Sequence, residues 1–100
     1  MRYLSTRRNC KPVSFQTAIL QGLAPDGGLY LPEELPTLPP SFIENLGQHS
    51  LQEIGETVSR LFIGNEIPHE GVAKIIRNSL TFPAPITRLT DSLGVLELFH

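Results

Sequence analysis

The stretch from Gly22 to Pro32, Gly-Leu-Ala-Pro-Asp-Gly-Gly-Leu-Tyr-Leu-Pro, restricts the chain more than any other. Pro25 presets φ for a turn, and Gly27 and Gly28 accept positive φ at no Cβ cost, so the backbone must change direction between Ala24 and Gly28. Upstream, a short helical pattern ends on Gly22. Downstream, Leu29, Tyr30 and Leu31, closed by Pro32, read as a short strand. The plain reading is a tight helix-to-strand connection. No Gly-x-Gly-x-x-Gly or Gly-Lys-Ser/Thr pattern turns the paired glycines into a nucleotide loop.

Around this hinge the elements can be placed in order. Tyr3 to Thr6 suits a first strand, and Arg7 to Pro12 is a polar loop carrying Arg7, Arg8 and Lys11. Ser14 is a natural N-cap for a helix over Phe15 to Gln21, whose face of Phe15, Ala18, Ile19 and Gly22 is expected in the core, with Gly22 in the left-handed conformation that ends helices. Pro32 to Pro40 is too rich in proline for a helix or a central strand, and Leu35 and Leu38 are expected to lay it on the domain surface. Three helices should follow. Ser41 to Glu44 and Ser50 to Glu53 both have capping-box spacing, and Leu51, Ile54, Val58, Leu61 and Phe62 form one apolar stripe that stops at Gly64. Pro68 suits the first turn of the last helix, which buries Val72, Ile75, Ile76 and Leu80. Ile86 to Leu89 and Val95 to Phe99, joined by a turn at Asp91 to Gly94, read as a hairpin. The order implies an α+β domain with a small sheet and about four helices packed against it, and its caps and stripes suggest that it folds by itself.

Composition narrows the function classes. With 40% hydrophobic and 18% charged residues and a formal net charge of -2, the chain is globular and has no basic footprint for nucleic acid or anionic membranes. It has no apolar run near the roughly 20 residues that span a bilayer, and Met1 to Arg8 lacks the apolar segment of a signal peptide, which points to the cytoplasm. Cys10 is the single cysteine, so no internal disulfide forms and no zinc spacing exists. His49 and His69 stand at helix starts, where polar residues are ordinary, while His100 follows an apolar run and is a candidate to face a cleft. Glu97, the one charge in that run, is read on its solvated face. Residue types and spacing alone give no metal set, catalytic pair or nucleophile elbow. The apolar run at the end of the sequence, without a polar tail, is read as a cut, making this the first piece of a longer protein.

Tyr3-Leu4-Ser5-Thr6-Arg7, then Val13-Ser14-Phe15 and the run from Ala18 to Pro32, resemble the start of the threonine synthase family. Val95-Leu96-Glu97-Leu98-Phe99-His100 is similar to the family's segment just before its Gly-Pro-Thr…Phe-Lys-Asp motif. The resemblance implies that residues 1–100 are the amino-terminal domain of a larger fold-type II pyridoxal phosphate (PLP) enzyme, cut before the catalytic body. Such an enzyme converts O-phosphohomoserine and water to threonine and phosphate. The cofactor lysine would fall a few residues beyond His100; Lys11 and Lys74, the only lysines here, match no part of that motif, so the piece alone is expected to bind no cofactor and to be inactive. Its partners would then be the remaining catalytic domain and, in the whole enzyme, the substrate. Ser5, Thr6 and Arg7, together with Asp26, Gly27 and Gly28, are the candidates to approach the substrate cleft. Two other roles remain open: the same domain of a threonine synthase-like phospho-lyase, and a docking or subunit-contact domain without catalytic duty.

Overall fold

Strand pairing fixes the first third of the chain. In the computed structural model, which describes residues 1–99, β1 (Arg2–Ser5) is the centre of a three-stranded antiparallel sheet, flanked by β2 (Val13–Ser14) and β3 (Tyr30–Pro32). Tyr3 pairs with Val13 on one side and Pro32 on the other, and Ser5 pairs with Tyr30. Side chains alternate across a strand, so Tyr3 and Ser5 share the buried face while Arg2 and Leu4 share the other. On that outer side Arg2 forms a bidentate pair with Glu33, both bonds 2.9 Å.

Helix α1 (Phe15–Gln21) starts and stops where the sequence predicts, with the Ser14 side chain accepting from the Thr17 amide. Its end differs in kind. Gly22 has φ 72° and ψ -61°, and the Leu23 amide donates to the Gln21 carbonyl at 2.8 Å. That is a γ-turn with positive φ rather than the expected left-handed cap, and it is open mainly to glycine. The core face is also narrower than expected: Ala18 is buried, but Ile19 is 64% exposed. The two-residue strand β2 went unforeseen because its single apolar residue, Val13, carries no alternation to read.

The proline connector is not pressed down along its length, since Leu35 is 81% exposed and Leu38 half-buried. Helix α2 (Pro40–Glu44) begins one residue before the expected Ser41 cap, with Pro39 at the N-cap and no side-chain cap bond. Two consecutive prolines explain the shift: Pro40 already has helical φ, and the missing amide is one a first turn leaves unpaired anyway. A 3-10 turn at Leu46–Gln48 follows. Helix α3 (Leu51–Ile63) carries the full capping box of Ser50 and Glu53 and stops at Gly64, φ 65°, as read from sequence.

Helix α4 (His69–Ser79) packs on α3; its Val72 and Ala73 are buried, while the expected core residue Ile75 is 49% exposed. The contact is close at a glycine inside α3. A Cβ at Gly55 would stand 2.4 Å from Leu80 Cδ1 and 3.2 Å from Ile76 Cγ2. Strands β4 (Ile86–Arg88) and β5 (Gly94–Leu96) form the expected hairpin, but as a second sheet and without Leu98 and Phe99. Glu97 is half-buried and its carboxylate accepts from the Thr87 hydroxyl, so it is not simply solvated. His100 lies outside the described residues.

The buried apolar side chains are Tyr3, Ala18, Ala24, Val72 and Ala73, and none is a large aliphatic group beyond valine. The radius of gyration is 16.6 Å, against roughly 13 Å for a compact domain of this length. Caps and stripes stabilise a domain most when the stripes have something to cover them, and here much of the helix stripes stays open. No helix among the described residues is long and apolar enough to cross a membrane. At Gly55, alanine would gain about 0.8–1 kcal/mol of helix propensity, while overpacking costs about 1–3 kcal/mol. Gly55→Val combines the larger clash with the poorer propensity of a branched residue, and should lower stability by about 1–3 kcal/mol, read from the denaturant midpoint of the complete protein.

Candidate functional site

Two sequence stretches singled out separately, Ser5 to Arg7 and Asp26 to Gly28, meet in space. Pro25 and Asp26 occupy the middle of a turn closed by the Gly27 amide on the Ala24 carbonyl at 2.8 Å. Gly27 follows with φ 77°, and the Ala24 amide donates to the Gly28 carbonyl at 2.9 Å. This is a three-residue loop with a glycine bulge, continued by an isolated antiparallel bridge between Leu23 and Leu29. The bulge aims the Asp26 side chain back at β1.

There its carboxylate collects donors. Ser5 Oγ donates to Oδ1 at 2.6 Å, the Gly28 amide to the same oxygen at 2.9 Å, and the Asn9 amide to Oδ2 at 3.0 Å. Ser5 Oγ in turn accepts from the Arg7 amide at 3.1 Å, and Ser5 is buried. The Ser5 hydroxyl first, and then the amides of Gly28 and Asn9 and the Cys10 thiol, hold the Asp26 carboxyl below its ordinary value. Thr6 closes the lower side: its amide donates to the Leu29 carbonyl at 2.9 Å, and its hydroxyl accepts from the Leu29 amide at 3.0 Å.

Gly28 is where the two stretches touch. A Cβ there would lie 2.1 Å from Ser5 Oγ, 3.0 Å from Thr6 Oγ1 and 3.1 Å from the Arg7 amide nitrogen. Arg7 lies over the neighbouring Gly27, one guanidinium N–H donating to the Asp26 carbonyl at 2.9 Å, so a flexible cation is fixed at the surface. Ser5, Asp26 and Gly28 thus hold the loop together. Thr6, Arg7 and Gly27 are the exposed members that can meet a ligand, and Arg7 brings the charge and planar fork suited to an anionic oxygen group. Both lysines are exposed, Lys11 in the loop before β2 and Lys74 on α4. Among the described residues no cluster of His, Cys, Asp and Glu could hold a metal ion.

One residue of consequence escaped the sequence reading. Glu66, in the linker between α3 and α4, accepts from the amides of Phe15 and Gln16 at 2.9 and 3.0 Å. Nothing in its neighbourhood signals a contact with residues some fifty positions earlier. The only available hint lay in α1 itself, whose first turn has no acidic residue of its own.

The fold and this loop cluster define an α+β unit in which a small antiparallel sheet and a half-buried carboxylate network display an arginine. The sequence profile described as "Threonine synthase N terminus" matches residues 2–80, so the chain belongs to that family. The threonine synthase of Schizosaccharomyces pombe is 42% identical over 104 residues, covering 98% of this chain and 20% of that protein. The crystal structure of threonine synthase from Escherichia coli superposes with a TM-score of 0.90 at 32% identity, over 100% of this chain and 23% of that one. PLP-bound threonine synthase from Brucella melitensis gives 0.89 at 36%, with the same coverage. The chain spans about a fifth of the length of these relatives.

Because the folded Asp26 carboxyl titrates below its unfolded value, its contribution is complete above pH ~4 and is lost as pH falls through the folded value. Asp26→Asn should therefore be less stable than wild type at pH 7, with the difference in melting temperature shrinking as pH drops from about 5 towards 3. A constant gap across that range would mean that the Asp26 charge is not what holds the loop.

Proposed function

We propose that the chain is the amino-terminal domain of a PLP-dependent threonine synthase that converts O-phosphohomoserine and water to threonine and phosphate. The observation that carries this reading is the likeness of the whole chain to a PLP-bound threonine synthase, at a TM-score of 0.89 and 36% identity. The cofactor and its lysine belong to the catalytic body that follows; the exposed positions of Lys11 and Lys74 support placing them outside residues 1–100. The domain is not catalytic alone, and the complete protein works in the cytoplasm.

Within that enzyme the domain walls the substrate cleft. Ser5, Asp26 and Gly28 fix the wall, while Thr6, Arg7 and Gly27 face the substrate. Support comes from the hydrogen bond that sets an exposed arginine against the glycine turn anchored on Ser5, since a phosphate ester is better gripped by a cation that is partly ordered before it binds. A phosphate leaving group also needs a cleft from which water is controlled, and a packed domain supplies such a wall. PLP supplies the electron sink for elimination when bound.

The complete protein should show the cofactor's absorbance band and release both threonine and phosphate from O-phosphohomoserine. Phosphate without threonine would make it a phospho-lyase, and no band would leave a docking domain. Arg7→Ala should raise KM for O-phosphohomoserine by about tenfold or more with a smaller change in kcat, as expected when a charge-assisted contact made throughout the reaction is lost. Unchanged kinetics would remove Arg7 from the cleft.

A further inference from the structure

Helix α1 has seven residues, fewer than the roughly 12–15 at which an isolated helix becomes even marginal in water. It depends on what meets its ends. Three amides at its start lack intrahelical partners: Thr17 is met by the Ser14 hydroxyl at 3.1 Å, and Phe15 and Gln16 are met by one Glu66 oxygen each. With no acid in the first turn of α1, Glu66 also supplies the negative charge that the positive end of the helix favours. The same carboxylate sits between layers. Helices α3 and α4 pack on each other, and α1 packs on β1 and β2. Among the described residues, the hydrogen bonds recorded between these layers are those from the Tyr3 hydroxyl to the Phe62 carbonyl at 2.7 Å and from the Phe15 and Gln16 amides to Glu66.

We propose that Glu66 is a releasable clasp coupling the α3–α4 layer to the sheet layer: freeing its carboxylate loosens α1 and lets the layers separate while α3 and α4 keep their own structure. The groups facing it are the Met1 α-ammonium just before β1, the Tyr3 hydroxyl of β1 and the amides of α1; among the described residues, no charged group of α3 or α4 is recorded against it. The Gln16 and Phe15 amides, with the Met1 ammonium adding to them, hold the Glu66 carboxyl below its ordinary value. Its contribution is then complete above pH ~4.3 and falls away as pH drops through the folded value, so acid opens the clasp. The inference goes beyond the enzymatic reading and stands whether or not the domain borders a substrate cleft.

The test is hydrogen–deuterium exchange by mass spectrometry on the complete protein, following peptides over 13–22 and 51–63, with Glu66→Gln beside wild type. Glutamine keeps the shape but offers one acceptor and no charge. The 13–22 peptide should exchange about five- to tenfold faster in the variant at pH 7, while 51–63 is unchanged. Equal acceleration of both peptides, or of neither, overturns the proposal. Should the variant fail to fold, wild type decides. Corrected for intrinsic rates, protection of 13–22 must fall before that of 51–63 as pH goes from about 5 towards 3, and simultaneous loss would overturn the clasp.

Discussion

The sheet and everything it presents depend on the Asp26 carboxylate. It draws the Ser5 hydroxyl and the amides of Asn9 and Gly28 to one point, tying β1, the arginine loop and the glycine turn together. This matters because little apolar surface is available to do the same work: Tyr3, Ala18 and Ala24 are the buried apolar side chains of that layer. Charge-assisted hydrogen bonds substitute for packing where the core is thin, and their geometry imposes the sequence. Only glycine fits at position 28, since any Cβ would collide with the serine that the carboxylate must reach.

Local features were legible in the sequence. Ser14, Gly22, Ser50, Glu53 and Gly64 mark helix ends because caps are decided by a few neighbouring residues, and all of them bound helices in the structure. Where two local signals competed, the sequence misled: Ser41 has capping-box spacing, yet Pro39 and Pro40 start the helix first. Burial was harder. Ile19 and Ile75 lie on stripes that look like core, but a stripe states which side of a helix is apolar and not whether anything lies against it.

The candidate site divides along the same line. The glycine turn and the Ser5 to Arg7 stretch were each visible, but their meeting depends on the antiparallel register of β1 and β3, which no local pattern encodes. Glu66 was invisible because its partners are backbone amides, which every residue has.

The hairpin of β4 and β5 has a temporal consequence. Among the described residues neither outer edge has a neighbouring strand, Ile86, Val95 and Leu96 lie open, and Phe99 just beyond is 88% exposed. Such an edge invites pairing with any other strand it meets. In a chain as long as its relatives, about three quarters remains to be translated when this hairpin emerges. At roughly 5–20 residues per second, that interval is on the order of tens of seconds. In such a chain the edge between residues 86 and 99 would stay open over that interval, free to pair with other strands.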